Sequence, residues 1–83
     1  MRVTVKYFAS IRETLGMGSE VLETPATTLA QLRDELIAKG GKHGHALARG
    51  KALRVAQNQV MAAESEPLLA GAEVAFFPPV TGG

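Results

Sequence analysis

The carboxyl-terminal tail is the part of this chain whose residue types could do chemistry. It follows an apolar run at residues 73–77 and consists of Pro78, Pro79, Val80, Thr81, Gly82 and Gly83. Two residues without side chains, in front of a free carboxylate, can thread a narrow channel and present that carboxylate to another protein's active site. The alternative is a frayed terminus, which is common in small domains. Tail composition alone leaves both interpretations open.

The two prolines set the geometry at the base of the tail. Pro78 and Pro79 have no backbone N–H and a fixed φ. We therefore expect the chain to leave any sheet there in an extended form. A stiff base lowers the ordering entropy that is lost when the tail enters a partner.

The rest of the 83-residue chain offers no set of side chains for catalysis. Cysteine is absent, which excludes a thiol nucleophile, disulfides and thiolate metal sites. No serine lies in a nucleophile-elbow pattern. Asp34 and Glu35 are adjacent on a predicted helix and face different directions, so they do not form an acid–base pair. The Gly83 carboxylate is therefore the one reactive group that we predict.

Two weaker motifs predict neither a metal nor a nucleotide site. His43 and His45 are only two potential ligands, and a zinc site needs more. Gly50 and Lys51 resemble part of a phosphate-binding loop, but Ala52 stands where that loop needs Ser or Thr. We expect the chain itself to bind no metal and no cofactor.

Composition narrows the class of protein. A formal net charge of +1 does not indicate a nucleic-acid partner, and the three Phe and one Tyr do not interleave with the basic residues. No apolar run approaches the ~20 residues of a membrane span. Small secreted domains usually carry disulfides, so we expect a cytoplasmic protein.

One stretch of the chain, residues 39–54, carries positive charges without any negative charge. It contains no acidic residue, and its cations are Lys39, Lys42, Arg49, Lys51 and Arg54. A solvated face accounts for such a pattern. The solvated face is the favoured interpretation, and a surface that steers an acidic protein partner is the alternative.

The first half of the chain predicts two strands and two helices. Alternation over residues 2–8 predicts a strand with Val3, Val5 and Tyr7 on one face, and residues 20–24 predict a second strand. Ser10 with Glu13, and Thr28 with Gln31, fit capping boxes at two helix starts. The second helix carries an apolar stripe at helical spacing, with Arg33 among the residues off it. The residues of that stripe are Leu29, Leu32, Leu36 and Ile37.

The second half predicts a helical turn and three strands. We expect the turn at residues 46–48, strands at 53–56, 60–62 and 73–77, and a chain reversal at residues 58–59. Leu68 and Leu69 are predicted to fill the core. This order predicts an α+β, β-grasp (ubiquitin-like) fold, with a mixed sheet of about five strands and one main helix on one face. We expect residues 1–78 to form the domain and residues 79–83 a flexible tail.

Two adjacent phenylalanines precede the tail. Neighbouring strand residues face opposite sides, so we predict Phe76 in the core and Phe77 on the open face of the sheet. Met61 is expected to join Phe77 there. Beside a presented tail, these two residues favour a protein-docking patch over scattered apolar surface.

Three segments of the chain carry a resemblance to a known family. Residues 5–13 (VKYFASIRE), 54–59 (RVAQNQ) and 73–83 (EVAFFPPVTGG) resemble the small subunit of molybdopterin synthase, the MoaD family of ubiquitin-like sulfur carriers. The Phe-Phe-Pro-Pro tail motif is specific, whereas a bare Gly-Gly is shared by all ubiquitin-like carriers and modifiers. Residues 40–51 contain no motif of the family.

The resemblance implies a function for the tail. An E1-like, MoeB-like activating enzyme uses ATP to adenylate Gly83, and a sulfur donor then converts it to a thiocarboxylate. The loaded carrier docks on a MoaE-like large subunit, as a heterotetramer, and donates sulfur to a cyclic pyranopterin precursor. Gly82 then fits a narrow channel, Thr81 and Val80 line its mouth, and Pro79, Phe77 and Met61 contact the partner.

Other functions share the same tail. A sulfur carrier for thiamine, tRNA thiolation or a tungsten cofactor would use the same chemistry with another acceptor. A protein modifier would be joined through Gly83 to a lysine. A plain binding module would have an inert tail.

Overall fold

The computed structural model describes residues 1–79, which form a five-stranded sheet and three helices. The order of elements matches the β-grasp prediction, with one further short helix after the main one. The elements are β1 (Arg2–Tyr7), α1 (Ala9–Leu15), β2 (Ser19–Glu23), α2 (Leu29–Ala38), α3 (Gly41–Ala46), β3 (Arg54–Gln57), β4 (Val60–Ala62) and β5 (Glu73–Phe77).

The sheet is mixed and places the last strand at its centre. Its order is β2-β1-β5-β3-β4. β1 and β5 run parallel, with Tyr7 opposite Phe76, while β3 runs antiparallel to β5, with Arg54 opposite Phe77. The hairpins β1–β2 and β3–β4 are antiparallel. The chain between β1 and β5 is long enough for the crossover that a parallel pair requires.

The core lies between one face of the sheet and α2. Val3, Val5 and Tyr7 point into it from β1, as their alternation predicted. The apolar stripe of α2 covers them, with Leu29, Leu32 and Leu36 fully buried and Ile37 partly buried. Full burial of each such leucine contributes roughly 1.5–3 kcal/mol.

The predicted cap of α2 is present in a modified form. The Thr28 hydroxyl accepts a hydrogen bond from the backbone N–H of Gln31 at 3.1 Å. The Gln31 side chain reaches back to the N–H of Thr27, one residue earlier than in a standard capping box, at 2.8 Å. The helix ends before Gly40, whose φ of 75° suits glycine.

The predicted cap of α1 is wrong. The helix begins at Ala9, its N-cap is Phe8 in an extended conformation, and no side chain caps it. Ser10 therefore lies inside the helix. The physical reason is that β1 continues as extended chain, because the Phe8 N–H donates to the Phe76 carbonyl at 3.2 Å and the helix follows at once.

The segment after α2 differs from the predicted turn at residues 46–48. Instead α3 spans Gly41–Ala46, and Leu47 is fully buried in the core. Arg33, predicted off the apolar stripe of α2, is also buried, with 3% of its surface exposed. It is buried because its guanidinium bonds carbonyl groups of the irregular chain that follows α3.

The chain reversal predicted at residues 58–59 is confirmed. Asn58 and Gln59 connect β3 to β4 with positive φ angles of 50° and 68°, which a two-residue type I′ turn requires.

Only one of the two leucines predicted in the core is buried. Leu68 is in the core at 5% exposure, but Leu69 is 52% exposed. The Leu68 N–H donates to the Thr27 carbonyl at 3.0 Å, and the Leu69 N–H donates to Gln57 Oε1 at 2.8 Å. The backbone of both leucines is therefore anchored, and only the Leu68 side chain reaches the core.

Candidate functional site

The candidate site begins where β5 ends. Phe76 is fully buried and is held between β1 and β3, so the strand that carries the tail is fixed in the centre of the sheet. Pro78 and Pro79 follow Phe77 and are half-buried. Val80, Thr81, Gly82 and Gly83 lie outside the described residues, and their roles stay predictions.

Phe77 and Met61 lie on the same, open face of the sheet. Phe77 is opposite Arg54, and Met61 is opposite Ala56, which in turn is opposite Ala75. Since partners directly across a sheet point to one face, the predicted pair shares a surface. Met61 is 54% exposed, whereas Phe77 is half-buried.

Two alanines form the floor between these side chains. Ala75 and Ala56 lie on the central strands β5 and β3 and point to the open face. These two small side chains lie between Phe77 and Met61 on this face. A partner could place a protruding apolar group there and remove the exposed apolar surface from water.

Phe8 extends this surface, although it was not predicted from the sequence as part of the docking patch. It follows Tyr7 in extended conformation, beside Phe77, and is 45% exposed. The signal was the alternation of β1, because Tyr7 points inward and the next extended residue must point outward. We call Phe8, Phe77 and Met61 the apolar patch.

Charged residues border the apolar patch. Lys6 pairs with Glu73 at 3.2 Å on the open face. Arg54, on the same face beside Phe77, is exposed. The patch therefore has a polar rim, as protein interfaces do.

The inward side of the same sheet holds a polar cluster of Tyr7, Glu20 and His43. The Tyr7 hydroxyl donates to Glu20 Oε2 at 2.6 Å, and His43 Nε2 lies 2.7 Å from the same oxygen. Burial raises the pKa of Glu20, but hydrogen bonds from Tyr7 and His43 and the attraction of His43 and Lys39 outweigh it and lower that pKa. Burial, helped by the Glu20 carboxylate, raises the pKa of Tyr7.

This cluster gives His43 a structural partner. No group of three or more metal-ligating side chains occurs in residues 1–79.

In the same part of the chain, no helix has the length and apolarity needed to cross a membrane.

Comparison with known proteins relates the whole chain to one family. The model of the ThiS family matches residues 5–83. The molybdopterin synthase sulfur carrier subunit of Haemophilus influenzae is 42% identical over 98% of this chain and 99% of that protein. The protein of the same name from Escherichia coli is 40% identical with the same coverage.

Solved structures have the same fold over the full length. SAMP1 of Haloferax volcanii, a small archaeal modifier protein, aligns with a TM-score of 0.78 and 29% identity, covering 100% of both chains. A chain from the complex of subunits 1 and 2 of the molybdopterin-converting factor of Helicobacter pylori aligns with a TM-score of 0.67 and 25% identity, again covering 100% of both.

Proposed function

Since this chain belongs to the ThiS family, we propose that it is the sulfur carrier subunit of a molybdopterin synthase. The observation that carries the proposal is the near full-length match to two proteins of that name. The fold supports it, because the tail leaves a strand fixed at the centre of the sheet, beside an exposed apolar patch.

The proposed chemistry takes place at the Gly83 carboxylate. A free carboxylate is anionic at neutral pH and a poor electrophile. An E1-like activating enzyme therefore binds ATP, and a carboxylate oxygen attacks the α-phosphorus and displaces pyrophosphate. Hydrosulfide released by a sulfur donor then attacks the acyl-adenylate carbon, displaces AMP and loses its proton, which leaves a thiocarboxylate. ATP is bound by the enzyme, and the carrier itself needs no cofactor.

Sulfur transfer requires a second partner. The Helicobacter pylori neighbour is a complex of two subunits, which supports a large synthase subunit as the acceptor of the loaded tail. There the thiocarboxylate sulfur bonds to a cyclic pyranopterin monophosphate, and water then attacks the Gly83 carbonyl carbon, breaks its bond to sulfur and restores the carboxylate. A dithiolene contains two sulfurs, so a heterotetramer with two carriers suits the reaction. We place it in the cytoplasm, where ATP is available.

Each part of the tail has a proposed task. Gly82 lets the tip enter a narrow channel, because it has no side chain. Thr81 and Val80 contact the channel mouth, and Pro79 holds the base extended. The apolar patch at the tail base docks on the partner, since its exposed side chains lie beside the point where the tail begins.

The proposal is tested by extending the tail with one alanine after Gly83. We expect the extended chain to fold as the parent does, because the added alanine follows Gly83 and changes none of the core residues described within residues 1–79. It should lose sulfur transfer completely, because its terminal carboxylate is displaced from the reacting position. The measurement is conversion of the pyranopterin precursor by the purified large subunit, after each chain has been incubated with activating enzyme, ATP and a sulfur source.

Mass spectrometry provides the control for loading. Replacement of one oxygen by sulfur adds about 16 Da to the parent chain, and the extended chain should show no shift. Precursor conversion by the extended chain would refute the role of Gly83.

A second candidate function is favoured by the likeness to the small archaeal modifier protein. A modifier would form an isopeptide bond from Gly83 to a lysine of another protein. Immunoblots of cell extracts against this chain separate the two functions, since a modifier gives a ladder of covalent conjugates. A carrier for thiamine, tRNA or tungsten cofactor synthesis would instead load with sulfur but fail to convert the pyranopterin precursor.

A further inference from the structure

Carboxylates in the described part of the chain are almost all engaged within the domain. In residues 1–79, every acidic side chain except Glu13 accepts a hydrogen bond or forms an ion pair. The engaged residues are Glu20, Glu23, Asp34, Glu35, Glu64, Glu66 and Glu73. Five of the eight carboxylates in residues 1–79 are neutralised by a cation of the domain, whereas Glu35 and Glu66 accept only from uncharged donors.

Two cations at the base of the tail are not neutralised in this way. Lys51 and Arg54 form no ion pair with any of residues 1–79. Arg54 lies opposite Phe77, the last residue of β5. Lys51 lines a groove together with Pro78. Both positive charges thus lie where the tail leaves the domain.

The backbone of Lys51 is held in place by a buried side chain. Its carbonyl accepts a hydrogen bond from Arg33 at 3.1 Å, and its N–H donates to Ala48 at 2.9 Å. Arg54 is fixed by its pairing in β3. The two charges are therefore presented from ordered backbone, and little backbone entropy is lost when they contact a partner.

The groove beside Lys51 has the size of a side chain. It encloses about 130 Å³, with Ile11 and Leu53 among its apolar residues and the Ser10 and Thr14 hydroxyls at its sides. Ligand pockets for whole cofactors are roughly 300–1,000 Å³. The groove suits an acidic or polar side chain of a docked protein, whose carboxylate would meet Lys51. Glu13 lies outside it and lines a separate depression.

We propose that Lys51 and Arg54 form a basic rim that pairs with carboxylates around the mouth of the tail channel in the large synthase subunit. This inference rests on the proposed function and adds the charge of the partner surface to it. Complementary charges at the rim of an interface mainly raise the association rate. The apolar patch then stabilises the complex once it has formed.

The test is the association rate of the full chain with the purified large subunit, measured by stopped flow. The variants are Lys51→Glu, Arg54→Glu and their combination. Arg2→Glu is the control for a single reversal, because Arg2 is an exposed cation at the opposite end of β1 from the tail. Thermal unfolding confirms that each variant is folded.

We expect the double reversal to slow association about tenfold or more at low ionic strength, within the range of electrostatic steering. At about 500 mM NaCl the difference should fall below about twofold, because the Debye length shortens. Arg2→Glu should change the rate by less than about twofold at either salt concentration.

The outcomes separate this inference from the proposed function. Failure of the parent chain to bind the large subunit would refute the proposed function. Normal binding by the parent and an unchanged or salt-independent rate for the double reversal would refute the basic rim. A double reversal that slows only adenylation by the activating enzyme would also refute it, since the rim would then face the other partner.

Discussion

At the scale of single residues, Arg33 holds together the least regular part of the fold. Its Nε donates to the Leu47 carbonyl at 2.8 Å, and its other nitrogens reach Ala48, Lys51 and Glu64. Buried carbonyls without donors cost free energy, so one guanidinium satisfies groups that no strand or helix pairs. The arginine therefore positions the loop that carries Lys51.

Replacement of Arg33 by alanine should lower the free energy of unfolding by about 3 kcal/mol or more, because the Leu47 and Lys51 carbonyls lose their donor. The Ala48 carbonyl and Glu64 each lose one of two donors, and the ion pair between the buried guanidinium and Glu64 is removed.

Arg49→Ala is the matched control. Arg49 bonds the same Glu64, and also Asp34, but its side chain is 44% exposed. Exposed ion pairs contribute about 0–1 kcal/mol, so the control should lose no more than that. Urea unfolding monitors both, and equal losses would contradict the role of Arg33.

At the scale of elements, two similar sequence patterns produce different helix starts. Thr28 caps α2 with its hydroxyl, whereas α1 starts directly from extended chain at Phe8 and has no side-chain cap. The difference arises because Phe8 is paired to β5 by its backbone, which sets the helix start one residue before Ser10.

Thr28→Ala should therefore destabilise the domain by about 1 kcal/mol, the usual effect of losing an N-cap. Ser10→Ala should change stability by less than about 0.5 kcal/mol, as expected for an exposed position within a helix. Chemical denaturation of the two variants provides the measurement. A loss for Ser10→Ala that matches Thr28→Ala would show that the hydroxyl of Ser10 does cap α1.

At the scale of the whole molecule, the sheet separates stability from recognition. Its inner face carries the core and the Glu20 cluster, while its outer face carries the apolar patch and Arg54. The tail leaves from the strand that both faces share. Variants of Phe8, Met61 and Arg54 are therefore expected to alter binding with little loss of stability, because these three side chains are exposed.

The Glu20 cluster should make global stability depend on pH. The pKa of Glu20 is lower in the folded chain, so its stabilisation is present above the ordinary carboxyl pKa of 4.5 and is lost as pH falls through the folded value. Glu20→Gln should lose about 1 kcal/mol at neutral pH, and its difference from the parent should shrink in acid.

Glu23→Gln is the matched control, because Glu23 lies on the same strand and its side chain is 66% exposed. It should lose less than about 0.5 kcal/mol at neutral pH. Urea unfolding from neutral to acid pH measures both variants. A constant difference between Glu20→Gln and the parent across that range would contradict the role of the carboxylate.

Local patterns predicted most of the fold. Alternation in β1 and β5, the stripe of α2, and the turn at Asn58 and Gln59 depend on neighbours within a few residues, and they were read correctly. They also indicated the open face on which Phe77 and Met61 lie together. The tail was recognised from its own residues and the family resemblance.

By itself, then, the sequence determined the element order, the inward faces and the candidate reactive terminus, because short-range periodicity and tail composition carry that information. The tertiary structure alone decided which distant groups meet. In the structure, Phe8 is part of the apolar patch and Arg33 is buried beside the core. Lys51 and Arg54 lie at the base of the tail. These outcomes depend on strand register and on the pairing of buried polar groups across long separations, which no local pattern encodes.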